Sequence, residues 1–258
     1  MKTWVMGDIH GANKALIQCL ARSGFDNEED TLIHLGDVVD GWSETYECVE
    51  TLLGIKNLIS IKGNHDDWFL DFIQHGIHLA GWRYGAHATA RSYLRQIDKE
   101  HLIYPKGTGY VTTLNNEDIP PTHQKFFSLQ HLYYIDSNNN CFVHGGFNRH
   151  IEFKGQGVNV YSWDRDLWGS AMSYKDTGYR FKMHNHFKEV FIGHTATTTW
   201  KNKYNTSTLP MNAANIWNLD TGAGFIGKLT IMNVDTKEYF QSDFVSTLYP
   251  EEQGRNKE

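Results

Sequence analysis

Cysteine is scarce in this chain: three among 258 residues, Cys19, Cys48 and Cys141, an odd number with no C-x-x-C pair. Neither a disulfide framework nor a thiolate zinc site is supported, and the count fits a reducing compartment. No apolar run approaches the ~20 residues that cross a bilayer. Met1 to Met6 runs straight into polar Gly7-Asp8 without the hydrophobic region of a signal peptide. The expectation is a cytoplasmic protein with no membrane partner. A basic block is also missing, and the net charge of −6 works against wrapping a nucleic-acid duplex. A local basic pocket could still hold one phosphate. Disorder is disfavoured by 21% charged and 40% hydrophobic residues, which permit a substantial core.

Histidine is the abundant type, at 14. It is the commonest metal ligand, but number alone decides nothing and position must. The N-terminal third alternates strand and helix. Apolar runs at 3–6, 31–35 and 58–61 each lead into a polar turn, and helical spacing covers 13–21 and 45–53. Such units imply a parallel sheet with right-handed crossovers, which places the three turns on one edge. Open α/β sheets bind ligands there. From Asp67 to Asp136 this rhythm is lost; helices are expected near 88–96 and 122–129, in a helical insertion lying over the site. Strand-like runs return at 141–143, 190–192, 216–219 and 228–234. One domain over 1–249 is expected, with a charged tail at 250–258 that frays.

Five of the polar turns share a design, in which an apolar strand ends, a glycine follows, and Asp, Asn or His is presented. They carry Asp8 and His10, Asp37 and Asp40, Asn64 and His65, His144, and His194. The first three lie 29 and 27 residues apart, the span of one strand-helix-strand unit. Oxygen and imidazole ligands converging at a sheet edge suit Mn, Fe, Zn or Ni rather than calcium. A central carboxylate can bridge two such ions ~3.5–4 Å apart, and that pair can activate water for attack on phosphorus.

Gly7-Asp8-Ile9-His10-Gly11, Gly36-Asp37-Val38-Val39-Asp40-Gly41, Gly63-Asn64-His65-Asp66, His144-Gly145-Gly146 and Gly193-His194-Thr195 resemble the ordered motifs of the calcineurin-like metallophosphoesterases, particularly bacterial and phage serine/threonine protein phosphatases. Further echoes are Gly85-Ala86-His87-Ala88-Thr89, Trp163-Asp164-Arg165-Asp166 and Asp220-Thr221-Gly222-Ala223. The resemblance implies a four-layer α/β/β/α sandwich with two mixed sheets; the residue pattern alone supports only a parallel α/β first half. It implies two divalent metal ions, manganese foremost and Fe, Zn or Ni compatible. Asp8 and His10 would hold one, Asn64, His144 and His194 the other, and Asp37 both. His65 would be the general acid, oriented by Asp40, and Arg165 would grip the phosphate.

The implied reaction is hydrolysis of phosphate monoesters by in-line attack of a metal-bridging hydroxide, on a phosphorylated protein, peptide or small phosphoester. One departure bears on the substrate. The protein-phosphatase branch carries arginine where this chain has Gly41. Either Arg83, Arg91 or Arg149 substitutes, or the substrate differs, for instance a dinucleoside tetraphosphate or a phosphodiester. A non-catalytic metal-binding scaffold is disfavoured by the full complement of ligands.

Other residues carry blander expectations. His184 and His186 are expected to be solvated, His34 to lie in or beside the core, and His75, His78 and His87 to belong to the insertion surface. Asp220 is expected to be structural. Trp163 and Trp168 are expected to pack, and Trp42 to pack or line the substrate groove.

Overall fold

Strands buried on both faces read as continuous apolar runs, and the first two of this chain do so because each lies inside a sheet with a parallel neighbour. The computed structural model describes residues 1–76, 84–100, 103–106, 109–175, 177, 180–199 and 207–255. β1 (Thr3–Met6), α1 (Asn13–Ser23), β2 (Thr31–His34), α2 (Thr45–Leu53) and β3 (Asn57–Ser60) alternate as the periodicity requires. In α1 the buried residues Ala15, Leu16 and Cys19 form one stripe. Gly24 ends that helix in the left-handed region (φ 65°), its N–H donating to Ala21 O.

α3 (Asn64–His75), α4 (Ala86–Arg95), the antiparallel pair β4 (Ile103–Lys106) and β5 (Gly109–Thr112), and α5 (Pro121–Ser128) follow. The expected insertion therefore includes a hairpin as well as helices. Its described helices contribute to the outer apolar cluster. Phe69 and Phe72 of α3, Tyr93 of α4 and Phe127 of α5 are buried in the same apolar cluster as Leu16 and Val49 of α1 and α2. Aromatic residues spaced for a helix stripe draw this segment into the outer helical layer. His78 lies outside the described residues.

The second half supplies β6 (Tyr133–Ile135), β7 (Cys141–Val143), α6 (Val158–Trp163), α7 (Asp166–Tyr174), β8 (Val190–Ile192), β9 (Met211–Ala213), β10 (Ile216–Asn218), β11 (Thr230–Asn233), β12 (Tyr239–Gln241) and α8 (Val245–Leu248). One sheet has the order β12-β11-β1-β2-β3, parallel from β1 to β3 and antiparallel beyond. The other has the order β6-β7-β8-β10-β9, with a parallel centre and antiparallel margins. Both are mixed. Val5, Ile33 and Met232 of the first sheet meet Phe142 and Phe191 of the second in the core between them. Leu167, Trp168 and Met172 of α7 cover the outer face of the second sheet. The layers are thus helix, sheet, sheet, helix. Among the described residues no helix is long and apolar enough to cross a membrane.

The geometry that positions the site is the common direction of the parallel strands. β1, β2, β3, β7, β8 and β10 all release their carboxyl ends toward one edge, from which the turns bearing Asp8, Asp37, Asn64, His144, His194 and Asp220 emerge.

Phe142 and Phe191 stack between the sheets with centroids 4.9 Å apart and planes 9° from parallel. Phe142→Ala should cost about 3–5 kcal/mol in urea unfolding. A loss below about 1 kcal/mol would mean that the sheets do not close on this pair.

Candidate metal centre

Each turn enters the site through tight backbone geometry. His10, Asp37, Asp40 and His194 all lie in the left-handed region, with φ of 53°, 57°, 66° and 65°. Asp tolerates that region better than most residues, and His is also enriched there, yet such conformations cost of order 1–3 kcal/mol each and persist only when surroundings fix them. Here they are fixed by backbone bonds between turns: His10 N–H donates to Asp37 O (2.9 Å), Trp42 N–H to His10 O (2.9 Å) and Gly193 N–H to His144 O (2.8 Å). Two glycines make room for the carboxylates. A Cβ on Gly63 would stand 2.0 Å from Asp37 Oδ1, and one on Gly193 would stand 2.1 Å from Asp8 Oδ1.

Asp8, His10, Asp37, Asn64, His144 and His194 are all buried and converge. Asp37 Oδ2 lies 3.7 Å from His10 Nε2 on one side and 3.4 Å from His144 Nε2 on the other. Asp8 Oδ2 is 3.9 Å from His10 Nε2, and Asn64 Oδ1 is 3.1 Å from His144 Nε2. Ligand atoms of Asp8, His10 and Asp37 form one triad, and those of Asp37, His144 and His194 a second, each within 4.8 Å. Asp37 belongs to both.

The ring tautomers decide what this cluster can hold. His10 Nδ1–H donates to Val39 O (3.0 Å) and His144 Nδ1–H donates to Leu35 O (2.8 Å), since a carbonyl can only accept. Their Nε2 lone pairs therefore point at carboxylate and amide oxygens, acceptor facing acceptor. His194 Nε2 is buried with no hydrogen-bond partner. Such an array repels itself unless protons or cations enter it. Burial, then the charge of Asp220, pushes the Asp8 carboxyl well above the usual range. Burial opposes a charge on His144, but the adjacent Asp37 carboxylate outweighs it and lifts that imidazole to about 9. Burial, then His144 and Arg165, drives His194 down to about 2. With no cation, then, His144 carries the proton that neutralises Asp37, and His194 stays a neutral donor of a lone pair. The residues fit two divalent ions with Asp37 shared, and the N/O donor set suits Mn, Fe, Zn or Ni.

Beside this cluster stands a second unit. His65 Nδ1 and Asp40 Oδ2 are 2.7 Å apart, both buried, and His65 N–H donates to Asp37 Oδ1 (3.0 Å). Thr89 holds Asp40 from two sides: its hydroxyl donates to Asp40 Oδ1 (2.8 Å) and accepts from Asp40 N–H (2.9 Å). Arg165 Nη1 donates to His194 O (3.2 Å) and Thr195 Oγ1 (3.0 Å), which ties it to the turn of His194. All nine residues expected at the site are thereby brought to one region.

Sequence reasoning missed others. Asp66 accepts from the N–H groups of Asp37 (2.9 Å), Val38 (2.8 Å) and Gly63 (3.2 Å) and from Gln130 Nε2 (2.9 Å), so one carboxylate clamps two ligand turns together. Its signal was an acidic residue at the third position of a helix, where a side chain reaches back to the turn before it. Thr89 lay inside a motif noted only as an echo. Asp220 is buried, accepts from Gly222 N–H (3.0 Å) and is electrostatically coupled to Asp8 and Arg255. Trp42 does not line a groove: it is fully buried, donates Nε1–H to Ala223 O (2.7 Å) and stacks on Tyr249. Trp163, by contrast, is 39% exposed and meets both Trp68 and the His194 ring at centroid distances of 5.1 and 5.8 Å. His34 is fully buried, whereas His75, His184 and His186 are exposed.

The candidate replacements for an arginine at position 41 point elsewhere. Arg91 pairs with Glu100, and Arg149 donates to Lys182 O and lies over Phe181. Arg83 is outside the described residues. The tail differs from expectation, for residues 250–255 are packed rather than frayed, and Arg255 Nη1 donates to His10 Nε2 at 3.0 Å.

Residues 1–209 match the family model described as calcineurin-like phosphoesterase. The chain belongs to this family. Among curated proteins it is 25% identical over 237 residues to serine/threonine-protein phosphatase 1 of Salmonella typhimurium, covering 90% of this chain and 91% of that one. It is also 23% identical to the symmetrical bis(5'-nucleosyl)-tetraphosphatase of Neisseria meningitidis, covering 93% and 95% respectively. The cold-active protein-tyrosine phosphatase of Shewanella sp. shares the fold, with a TM-score of 0.61 at 13% identity over 94% of this chain and 80% of that one. Membership makes this calcineurin-like phosphoesterase a metal-dependent phosphoester hydrolase.

Ions that bind only the folded state stabilise it, by about 2.7 kcal/mol per site at a hundredfold excess over Kd. Protein stripped with EDTA should therefore melt several degrees lower than protein reloaded with manganese, and Asp37→Asn should remove that difference. Identical melting of stripped and reloaded parent protein, read by differential scanning fluorimetry, would contradict a shared two-ion site.

Proposed function

We propose that the chain hydrolyses phosphate monoesters with poor, alkoxide-type leaving groups, with phosphoserine and phosphothreonine in proteins as the leading substrate class and some tolerance for phosphotyrosine. The 2.7 Å contact between His65 and Asp40 carries this reading. An alkoxide is strongly basic and leaves readily only if protonated, and a positioned acid contributes roughly 10²–10⁴-fold to such a step. A phosphoanhydride of a dinucleotide expels a weakly basic nucleoside diphosphate, which leaves with far less help. A built acid dyad is therefore best explained by an alkyl ester.

In this reading Asp8 and His10 hold one divalent cation, Asn64, His144 and His194 hold the other, and Asp37 reaches both. When bound, the pair supplies an acidified water as nucleophile and neutralises charge on the phosphoryl oxygens. Manganese is the leading choice, with Fe, Zn and Ni compatible with the same donors. Arg165 grips phosphoryl oxygens with a guanidinium already tied to the turn of His194, so little ordering is lost on binding. Asp40 keeps the His65 proton on Nδ1 in the neutral ring and stabilises the imidazolium, from which Nε2 delivers a proton to the departing oxygen. Thr89 keeps Asp40 from turning away. Three buried thiols without a disulfide are in keeping with a cytoplasmic setting.

A second reading has its own support. Trp68 lies 5.0 Å from the His65 ring and 5.1 Å from Trp163, with Tyr84 stacked at 6.3 Å. Flat π-faces beside a phosphate site suit nucleobases, and base stacking on aromatic side chains is worth about 1–3 kcal/mol per base. This favours a nucleotide-directed hydrolase, such as a symmetrical dinucleoside tetraphosphatase or a phosphodiesterase.

Manganese-loaded protein assayed side by side on phosphoserine peptides, phosphotyrosine peptides and diadenosine tetraphosphate separates the two. We expect turnover of phosphoserine peptides at a kcat/KM at least about tenfold above that of the dinucleotide, a gap of ~1.4 kcal/mol. Turnover of the dinucleotide alone would remove the first reading. His65→Ala should keep full manganese stoichiometry while lowering kcat about 10²-fold or more on alkyl phosphates and much less on p-nitrophenyl phosphate. Equal losses on both esters would discard His65 as the acid.

A further inference from the structure

Arg255 is the one arginine besides Arg165 that reaches the metal cluster among the described residues, and it does so from the end of the chain. Several contacts fix its approach. Tyr249 stacks on Trp42 at 5.3 Å, and its hydroxyl bonds Glu44 and accepts from Lys14 N–H. Glu252 accepts from the backbone N–H (3.0 Å) and hydroxyl (2.6 Å) of Ser43. Gly254 lies against Trp42, and Arg255 N–H donates to Gly224 O (2.9 Å). The side chain then runs between two glycines. A Cβ on Gly41 would lie 3.5 Å from Arg255 Cγ, and one on Gly224 would lie 3.2 Å from Arg255 Cδ. Its guanidinium rests 4.9 Å from the Phe225 ring centroid, with Nη1 3.0 Å from His10 Nε2.

Two features of that guanidinium are unexplained by the protein alone. Arg255 Nε is buried and has no hydrogen-bond partner, a costly state for a donor on a cation. Nη1 donates to the same His10 lone pair that the geometry reserves for a metal ion. Ion and guanidinium cannot use that lone pair together, so loading the site leaves Nη1 as well as Nε in need of an acceptor. A phosphoryl group brought to the ions offers oxygens to this guanidinium, whose Nη2 forms a planar fork with Nη1 on one edge and with Nε on the other. Arg165 and Arg255 also sense each other across the site: after burial and the favourable carboxylates, Arg255 is among the groups that lower the Arg165 pKa.

We propose that Arg255, carried back from the end of the chain, grips the substrate's phosphoryl oxygens together with Arg165 and supplies the basic group that position 41 lacks. Gly41 cannot supply it. Its φ of +134° is one that L side chains rarely adopt, and a Cβ there would stand 2.9 Å from His10 O and 3.1 Å from His10 Cβ. Glycine at 41 is the other half of the same arrangement.

The proposal rests on the metal-centre reading, so both are tested on one sample. Manganese-loaded full-length protein, its manganese content measured by elemental analysis, is titrated with inorganic phosphate by isothermal calorimetry. Arg255→Ala should weaken phosphate binding about tenfold or more and raise KM for a phosphopeptide, with manganese content and melting temperature close to the parent's. Arg255→Lys keeps the stem and the charge without the fork and should recover part of the loss. Unchanged phosphate affinity in Arg255→Ala overturns the proposal, as does tighter manganese binding alone, which would make the guanidinium a stand-in for a cation. Should the alanine variant fail to fold, the lysine variant decides: phosphate binding weakened about threefold or more supports the fork, and parental affinity rejects it. A parent protein that takes up no manganese overturns the metal-centre reading and this proposal with it.

Discussion

Asp37 is the residue through which the two sheets share one site. Its Oδ2 faces His10 from the first sheet and His144 from the second, and its Oδ1 accepts from the backbone of His65. Its own N–H is held by Asp66, and its carbonyl accepts from the N–H groups of both Ile9 and His10. Every bonding capacity of the residue, main chain and side chain, is thereby spent on another element of the site. A carboxylate so placed can bridge two cations because the groups on either side of it are fixed independently, His10 by Val39 and His144 by Leu35. The same fixation explains why the cluster is unfavourable by itself. Its lone pairs are oriented at one another, and only cations or protons reconcile them.

That conflict is sustained by the surrounding fold. Four left-handed residues at the site would together cost several kcal/mol if nothing held them. They are held by bonds from turn to turn, and the turns are held by a dry core between the sheets in which Phe142, Phe191, Val5 and Met232 are fully buried. The rigid part of the molecule is thus the part that presents the ligands, and strain at their backbones is what lets short loops from six strands face one point. Asp66 works at the same level. A single buried carboxylate satisfying five N–H groups, four of the backbone and one of Gln130, replaces the extra chain that two loops would otherwise need to stay together.

What the sequence made legible follows from how far each interaction reaches. The strand-glycine-ligand units are local, so apolar run, glycine and Asp or His could be read together, and the parallel first half followed from their spacing. The sheet margins and the helices covering the second sheet were less legible: β6, β9 and β12 are short, partly exposed edge strands, and α6 and α7 lie in a stretch with no clean apolar stripe. The four-layer arrangement came from resemblance and not from periodicity. Residues that act across long separations left almost no trace. Thr89 meets Asp40 from 49 positions away, and Arg255 meets His10 from 245. Trp42 and Trp168 pack as expected, whereas Trp163 departs from its expected packing for a related reason. Trp42, beside a motif, is drawn inward by Tyr249 and a carbonyl of the Asp220 turn, whereas Trp163 ends α6 where no element covers it fully.

The tail illustrates how composition misleads about order. Residues 250–258 carry charges and a glycine, the usual marks of a frayed end, yet Glu252 and Arg255 are engaged by tertiary structure. Glu252 finds Ser43, directly after Trp42, and Arg255 runs between Gly41 and Gly224. Position 41 and position 255 are therefore not independent. A side chain at 41 would press on His10, and with glycine there the stem of Arg255 lies alongside. Compensation of this kind changes what an absent motif residue means. The missing arginine at position 41 first suggested a different substrate, but a guanidinium reaching the same cluster by another route removes that inference. The choice between alkyl phosphate and nucleotide then rests on the proposed acid pair of His65 and Asp40 and on the aromatic rings of Trp68, Trp163 and Tyr84 beside it.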